Sequence, residues 1–195
     1  IESKFTFIPT IDVDNAYAYL EKGLIRTFGA IAWELLKFKI IELKLRMTTL
    51  YSKKNDPYDT FDYLIALQKK YNFQPIYFFL IADYGTYDKN VPYTSKKFQS
   101  LIKQIGDYAE VGIHPSYSSI NEPERIKIEV NRLKNILHKD ITKSRQHFLK
   151  LLFPHTYRNI LDCDITDDYS MGYATELGFR ASICIPYLFY DLDQE

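Results

Sequence analysis

Apolar positions in this chain alternate between two rhythms. A continuous apolar run over residues 75–82 (Pro-Ile-Tyr-Phe-Phe-Leu-Ile-Ala) reads as a strand buried on both faces. Residues 5–10 read as a first strand, with Phe5, Phe7 and Ile8 buried. Residues 110–114, 144–150 and 178–187 read as further strands. Helical spacing fills the gaps. Phe61, Leu64, Ile65 and Gln68 share one face of a helix over 57–71 that Asp59 would cap. Phe98, Leu101, Ile102 and Ile105 mark a helix over 95–108. Ile126, Val130, Leu133 and Leu137 mark one over 123–138, with Pro123 near its first turn. A short helix is expected over 153–161. The alternation predicts a single α/β domain over 1–195 with a parallel sheet, open or closed into a barrel.

Residues 24–50 break this rhythm. Ile31, Leu35, Phe38, Ile41 and Leu45 form one helical stripe, and Trp33, Leu36, Ile40, Leu43 and Met47 a second on roughly the opposite side. Lys37, Lys39, Glu42, Lys44 and Arg46 lie between the stripes and exclude a membrane-spanning helix. A helix with two apolar faces must bury both. One is expected against the domain and the other against a second insertion, a partner chain (self-association) or a membrane surface.

Composition narrows the functional classes. Lys plus Arg equals Asp plus Glu at 25 each, so the net charge is zero, which argues against a nucleic-acid binder. Cys163 and Cys184 have no CxxC spacing, so neither a zinc knuckle nor a disulfide scaffold is implied. No signal-peptide pattern is present, which favours a cytoplasmic or membrane-associated location. The chain carries 17 Tyr and 13 Phe. Most belong to core and strands, while Tyr in loops suits polar-apolar clefts such as sugar sites.

Candidate chemistry clusters where strands end. In Thr10-Ile11-Asp12-Val13-Asp14 two carboxylates one residue apart point to the same side, at the rim where α/β folds place their sites. They repel unless a metal, a proton or an arginine intervenes. Two readings stand: a metal ligand beside a general base, or an Asp cap on a following helix. His114 in Gly112-Ile113-His114-Pro115-Ser116 also follows a strand, and His with Asp suits zinc or a similar divalent ion. In Ser144-Arg145-Gln146-His147, Arg145 and His147 share a strand face, and Asp12 is a natural partner for Arg145. His138 and His155 read as surface residues. The pair Asp167-Asp168, before Tyr169-Ser170-Met171-Gly172-Tyr173, reads as a solvated turn.

Taken in order, these pieces resemble the polysaccharide deacetylase family, carbohydrate esterase family 4, in a divergent bacterial branch with an insertion after the first motif. That family has a distorted (β/α)7 barrel and removes acetyl groups from N-acetylated sugars with one divalent metal. Thr10 to Asp14 resembles its Thr-Phe-Asp-Asp-Gly motif, which implies Asp12 as general base and Asp14 as metal ligand. His114-Pro115-Ser116-Tyr117-Ser118 resembles its His-Ser/Thr-x-x-His motif, with His114 as ligand and Ser118 where the second histidine belongs. Arg145 matches the arginine that orients the base. Tyr173-Ala174-Thr175-Glu176-Leu177-Gly178-Phe179-Arg180 resembles a stretch common in the divergent branch. The late Leu-x-His segment that supplies the general acid has no counterpart within residues 1–195, which implies slow turnover by this segment alone. The implied metal is zinc, weakly held or absent, with Asp14, His114 and either Ser118 or His147 as ligands. His147 either binds the ion in place of the lost histidine or merely hydrogen-bonds in the cleft. Tyr117 and Tyr173 stand as the sugar-binding candidates.

The implied function is hydrolysis of N-acetyl or O-acetyl groups on carbohydrate. The alternative is a non-catalytic relative that binds carbohydrate or serves envelope polysaccharide assembly, since a neutral Ser118 hydroxyl is a poor ligand. An unrelated barrel hydrolase for phosphorylated substrates lacks a Gly-rich phosphate loop to support it.

Overall fold

A computed structural model describes residues 5–51 and 55–194. Five parallel strands pair in the order of the chain: β1 (Thr10–Val13), β2 (Ile76–Phe79), β3 (Glu110–Ile113), β4 (Lys143–Ser144) and β5 (Asp167–Asp168). Between them run α1 (Leu24–Leu36), α2 (Ile40–Tyr51), α3 (Phe61–Tyr71), α4 (Lys96–Tyr108), α5 (Glu124–Leu137) and α6 (His155–Leu161). Parallel neighbours need crossover connections, and the helices supply them. No described pairing joins β1 to β5.

Strand alternation divides the sheet into a packing face and a functional face. Val13, Tyr77, Phe79, Ile81 and Ile113 belong to the main core cluster, together with Phe98, Leu101, Ile102 and Ile105 of α4 and Ile126, Val130 and Leu133 of α5. These are the apolar stripes read from the sequence. Ser95 caps α4, its hydroxyl accepting from Phe98 N at 3.2 Å. The opposite parity places Asp12 beside Phe78 and Phe78 beside Gly112 in the register. Phe78 is fully buried on this face, and Tyr169 meets it at 5.4 Å between ring centroids.

Several expected elements are corrected. β1 begins at Thr10, and Phe5, Phe7 and Ile8 are exposed and unpaired in strand. The aspartates therefore lie in and just after the strand rather than beyond it. The capping residue of α3 is Thr60, with no side-chain bond, not Asp59. Asp56 instead accepts from the backbone N–H groups of Ala18, Tyr19, Leu20 and Tyr58 and fixes the turn after β1. The strand expected over 144–150 shrinks to Lys143–Ser144 and gives way to a 3₁₀ turn, His147–Leu149. No strand forms over 178–187; the one ladder contact there is an isolated Gly172–Phe179 bridge. Asp167-Asp168, expected as a solvated turn, is β5, and Asp168 accepts from the hydroxyls of Ser144 and Ser170.

Residues 24–50 are helical, but as a hairpin of α1 and α2 rather than one helix with two stripes. The chain breaks at Lys37–Lys39, where Phe38 adopts a left-handed backbone (φ 53°). What the hairpin buries is polar rather than an apolar stripe: Glu34, Arg46 and Thr49. Arg46 Nη2 lies 2.6 Å from Glu34 Oε1, a buried pair that locks the two helices together. Arg26 ties the hairpin to the sheet's rim by donating to the carbonyls of Lys89 and Asn90, each at 3.1 Å. No helix among the described residues is long and apolar enough to cross a membrane.

Gly112 is set by close approach. A Cβ there would stand 2.6 Å from the Phe78 ring and 2.7 Å from the Lys143 carbonyl oxygen. The backbone oxygen cannot swing aside as a side chain would. Gly112→Ala should therefore cost about 1–3 kcal/mol. Urea unfolding should show a lower midpoint at unchanged slope; an unchanged midpoint would contradict the packing described.

Candidate metal centre

Four side chains from three strand ends meet on the functional face. Asp12 and Asp14 come from β1, His114 follows β3, and His147 opens the turn after β4. Arg145, two residues before His147, reaches Asp12. Its Nη1 donates to Asp12 Oδ1 at 3.2 Å and its Nε to the Tyr169 carbonyl at 3.1 Å, while its guanidinium carbon lies 5.2 Å from the centre of the Phe78 ring. The Asp12–Arg145 pair is the partnership expected from the sequence.

The second carboxylate is answered by two imidazoles. Asp14 Oδ1 lies 3.1 Å from His114 Nε2 and 3.9 Å from His147 Nε2. One donor atom from each of Asp14, His114 and His147 falls within 4.8 Å of the other two. Both rings are buried, whereas Asp14 reaches into solvent. Hydrogen bonding to His114 is the largest influence holding the Asp14 carboxyl below its ordinary value; burial opposes it, and the charges of the two imidazoles add to it.

The far sides of the rings identify what faces Asp14. His114 Nδ1 lies 2.5 Å from the Arg145 carbonyl oxygen, which can only accept, so Nδ1 carries the proton. His147 Nδ1 lies 2.9 Å from Asp88 Oδ1, and the same argument holds for an ionised carboxylate. In the neutral rings both Nε2 lone pairs then point toward a third electron-rich atom. Three such donors repel unless protons or a cation lie among them. One hard carboxylate and two imidazoles suit a borderline divalent ion, so the residues fit the metal that the sequence implied.

Ser118 takes no part in this cluster. Its hydroxyl lies 3.1 Å from Ser116 Oγ and 3.4 Å from Asp88 Oδ2. His147 hydrogen-bonds within the cleft through Nδ1 and also faces Asp14 through Nε2. Tyr117 belongs to an aromatic wall that continues from His147. Phe148 lies 4.4 Å from the His147 ring, and Tyr117 lies 5.6 Å from Phe148 and 4.3 Å from Tyr87, centroid to centroid. Lys150 Nζ donates to the Tyr117 hydroxyl at 3.0 Å. Tyr173 is half exposed and lies against Gly178, with no described contact to the triad or the wall. His138 and His155 are exposed, as expected.

Two acidic residues beside the site were not anticipated. Asp88, in the connection between β2 and α4, is buried and accepts from His147, from Tyr117 N at 2.8 Å and from Ser118 N at 3.4 Å. Burial alone would raise its carboxyl, but these hydrogen bonds outweigh it and hold the group below its ordinary value. Glu129 of α5 is also buried and accepts from Ser116 N at 3.0 Å. Burial pushes it from 4.5 up to about 7, against the pull of the Ser116 bonds. The rim position of the segment after β2 was the one sequence signal for Asp88. Glu129 lies on the packing face of α5, where its spacing with Ile126, Val130 and Leu133 marks it as buried. No protein-family model matches the chain, and no curated protein matches it.

Glu129 makes stability depend on pH in a defined direction. Its folded pKa lies above the ordinary value, so the folded state holds the proton longer. The resulting stabilisation is full below about pH 4.5 and is lost as pH rises through about 7. Glu129→Gln keeps an oxygen acceptor for Ser116 N and removes the titration. Between pH 5 and pH 7.5 the parent should lose thermal stability relative to this variant. Parallel pH profiles for the two proteins would overturn the assignment.

Proposed function

We propose that the chain is a metal-dependent deacetylase of the polysaccharide deacetylase type, acting on acetylated carbohydrate. The observation that carries this reading is the convergence of Asp14, His114 and His147, with both rings turned Nε2-first toward one carboxylate oxygen. A divalent ion held by these three residues would polarise an acyl carbonyl and acidify water. Asp12, two residues along the same face, is the general base for that water. Arg145 donates to the Asp12 carboxylate and holds it in place. Tyr87, Tyr117 and Phe148 offer ring faces on which a pyranose can stack. The strands run β1 to β5 without reversal of order, which is the winding of a barrel rather than of a doubly wound sheet, and this supports a (β/α) barrel.

The non-catalytic alternative rested on Ser118 as a missing ligand. His147 supplies an imidazole that this alternative lacked, from the next strand rather than from the same loop.

The test separates binding from chemistry. Zinc, cobalt or manganese should bind at one site per chain in a chelating-dye competition, and His114→Ala should abolish binding. Asp12→Asn should leave ion affinity within a few-fold and lower acetate release from N-acetylated oligosaccharides by about 10²–10⁴-fold. An intact protein that takes up none of these ions, or an Asp12→Asn variant with the parent's rate, would overturn the proposal.

A further inference from the structure

The buried carboxylate of Asp88 makes four contacts that join two separate loops. It receives His147 Nδ1 at 2.9 Å, the backbone N–H groups of Tyr117 and Ser118 at 2.8 and 3.4 Å, and the Ser118 hydroxyl at 3.4 Å. His147 and Asp88 lie 59 positions apart in the chain. The 3₁₀ turn Tyr117–Ile120 thus anchors the carboxylate, and the carboxylate anchors the ring.

Geometry gives this bond a consequence beyond holding a loop. An imidazole has two nitrogens, and the partner of one fixes the role of the other. Asp88 accepts at Nδ1, so Nε2 carries the lone pair, and Nε2 is the atom that faces Asp14 at 3.9 Å. His114 is fixed in the same sense by the Arg145 carbonyl. The two rings therefore differ in partner: one answers a neutral carbonyl, the other a carboxylate. A carboxylate partner makes the far nitrogen a stronger donor. Ser118, standing where a loop-mate of His114 would supply a second imidazole, is bound to this same carboxylate.

We propose that Asp88 is a positioning residue that fixes the Nδ1–H tautomer and orientation of His147, and thereby makes a histidine from outside the local His114 loop the third donor for a divalent cation. This rests on the metal reading above and adds to it the residue that lets His147 serve.

The experiment uses the whole protein and reads the ring as well as the ion. Nitrogen-15 NMR of the metal-free parent, followed across pH, should show that whenever the His147 ring carries one proton that proton is on Nδ1. A singly protonated ring with its proton on Nε2 would overturn the proposal whether or not any ion binds. Cobalt(II) titration, followed by visible absorption, should then show Asp88→Asn weakening affinity about 10- to 100-fold. That variant keeps an oxygen acceptor for Tyr117 N, so the turn is retained. In a His147→Ala background Asp88→Asn should add no further loss, because the effect passes through the ring. An equal loss in both backgrounds would make Asp88 merely structural, and no loss in either would remove it from the site. If the parent binds no cobalt at all, the metal reading fails, and the metal-free NMR measurement still decides what Asp88 does to His147.

Discussion

Two carboxylates two residues apart, one inside a four-residue strand and one just past its end, repel each other, and the rim of this sheet is arranged around that constraint. Asp12 is held within β1, whose four residues all pair with β2, and Asp14 follows directly after the strand's last paired residue. Each must be compensated in place. Arg145 takes Asp12, and the two imidazoles take Asp14. The separation gives the carboxylates different chemistry. Asp12 faces a permanent cation, which suits a base that must stay ionised. Asp14 faces groups whose charge depends on what lies between them.

The supports behind these partners explain why the site tolerates short, irregular strands. β4 and β5 are two residues each. Side-chain bonds continue where the ladder stops: Asp168 accepts from Ser144 and Ser170, and Ser170 accepts from Gln146 N at 2.8 Å. Burial pushes the Asp168 carboxyl up, and the serine hydroxyls and the Ser170 N–H pull against it. Arg180 donates to the carbonyls of Leu149 and Ser170, so the turn carrying His147 and Phe148 is clamped from outside the sheet. Phe148 and Leu149 both sit in the left-handed region, with φ of 59° and 50°, a conformation costly for side chains of their size. The clamp holds them there.

Legibility from sequence followed the strength of the periodic signal. The apolar run of β2 and the stripes of α4 and α5 are long enough to show their period; β2 and α4 bury the expected residues, and α5 buries Ile126, Val130 and Leu133 as expected but adds Glu129 and Ile136 and leaves Leu137 half-buried. β4 and β5 are too short to display alternation, so the pattern predicts the first longer than it is and the second as a turn. Phe5, Phe7 and Ile8 had the composition of a strand without the pairing, which only tertiary context decides. In the site, Asp12, Asp14, His114 and Arg145 were legible because each lies at or beside a strand end. His147 was visible through alternation, although direction and not distance was all that alternation fixed. Asp88 was hidden. Its importance comes from meeting residues 117, 118 and 147, and no local pattern encodes that meeting. The hairpin's Glu34–Arg46 pair was hidden for the same reason, since on one continuous helix the two would not have met as they do.

The distances along the chain carry a last consequence. Asp12 and Arg145 are separated by 133 positions, and Asp88 and His147 by 59. An unfolded chain offers no comparable gathering of donors, so any cation seated in the cleft acts as a clasp across β1, β3 and the turn after β4. Occupancy and folding then share one equilibrium: the native state gains RT ln(1 + [ion]/Kd), about 2.7 kcal/mol at a hundredfold excess over Kd. The cleft would then report on its own scaffold, and a substitution anywhere in the sheet that loosens the docking of those three segments would weaken the grip on any such ion without touching Asp14, His114 or His147.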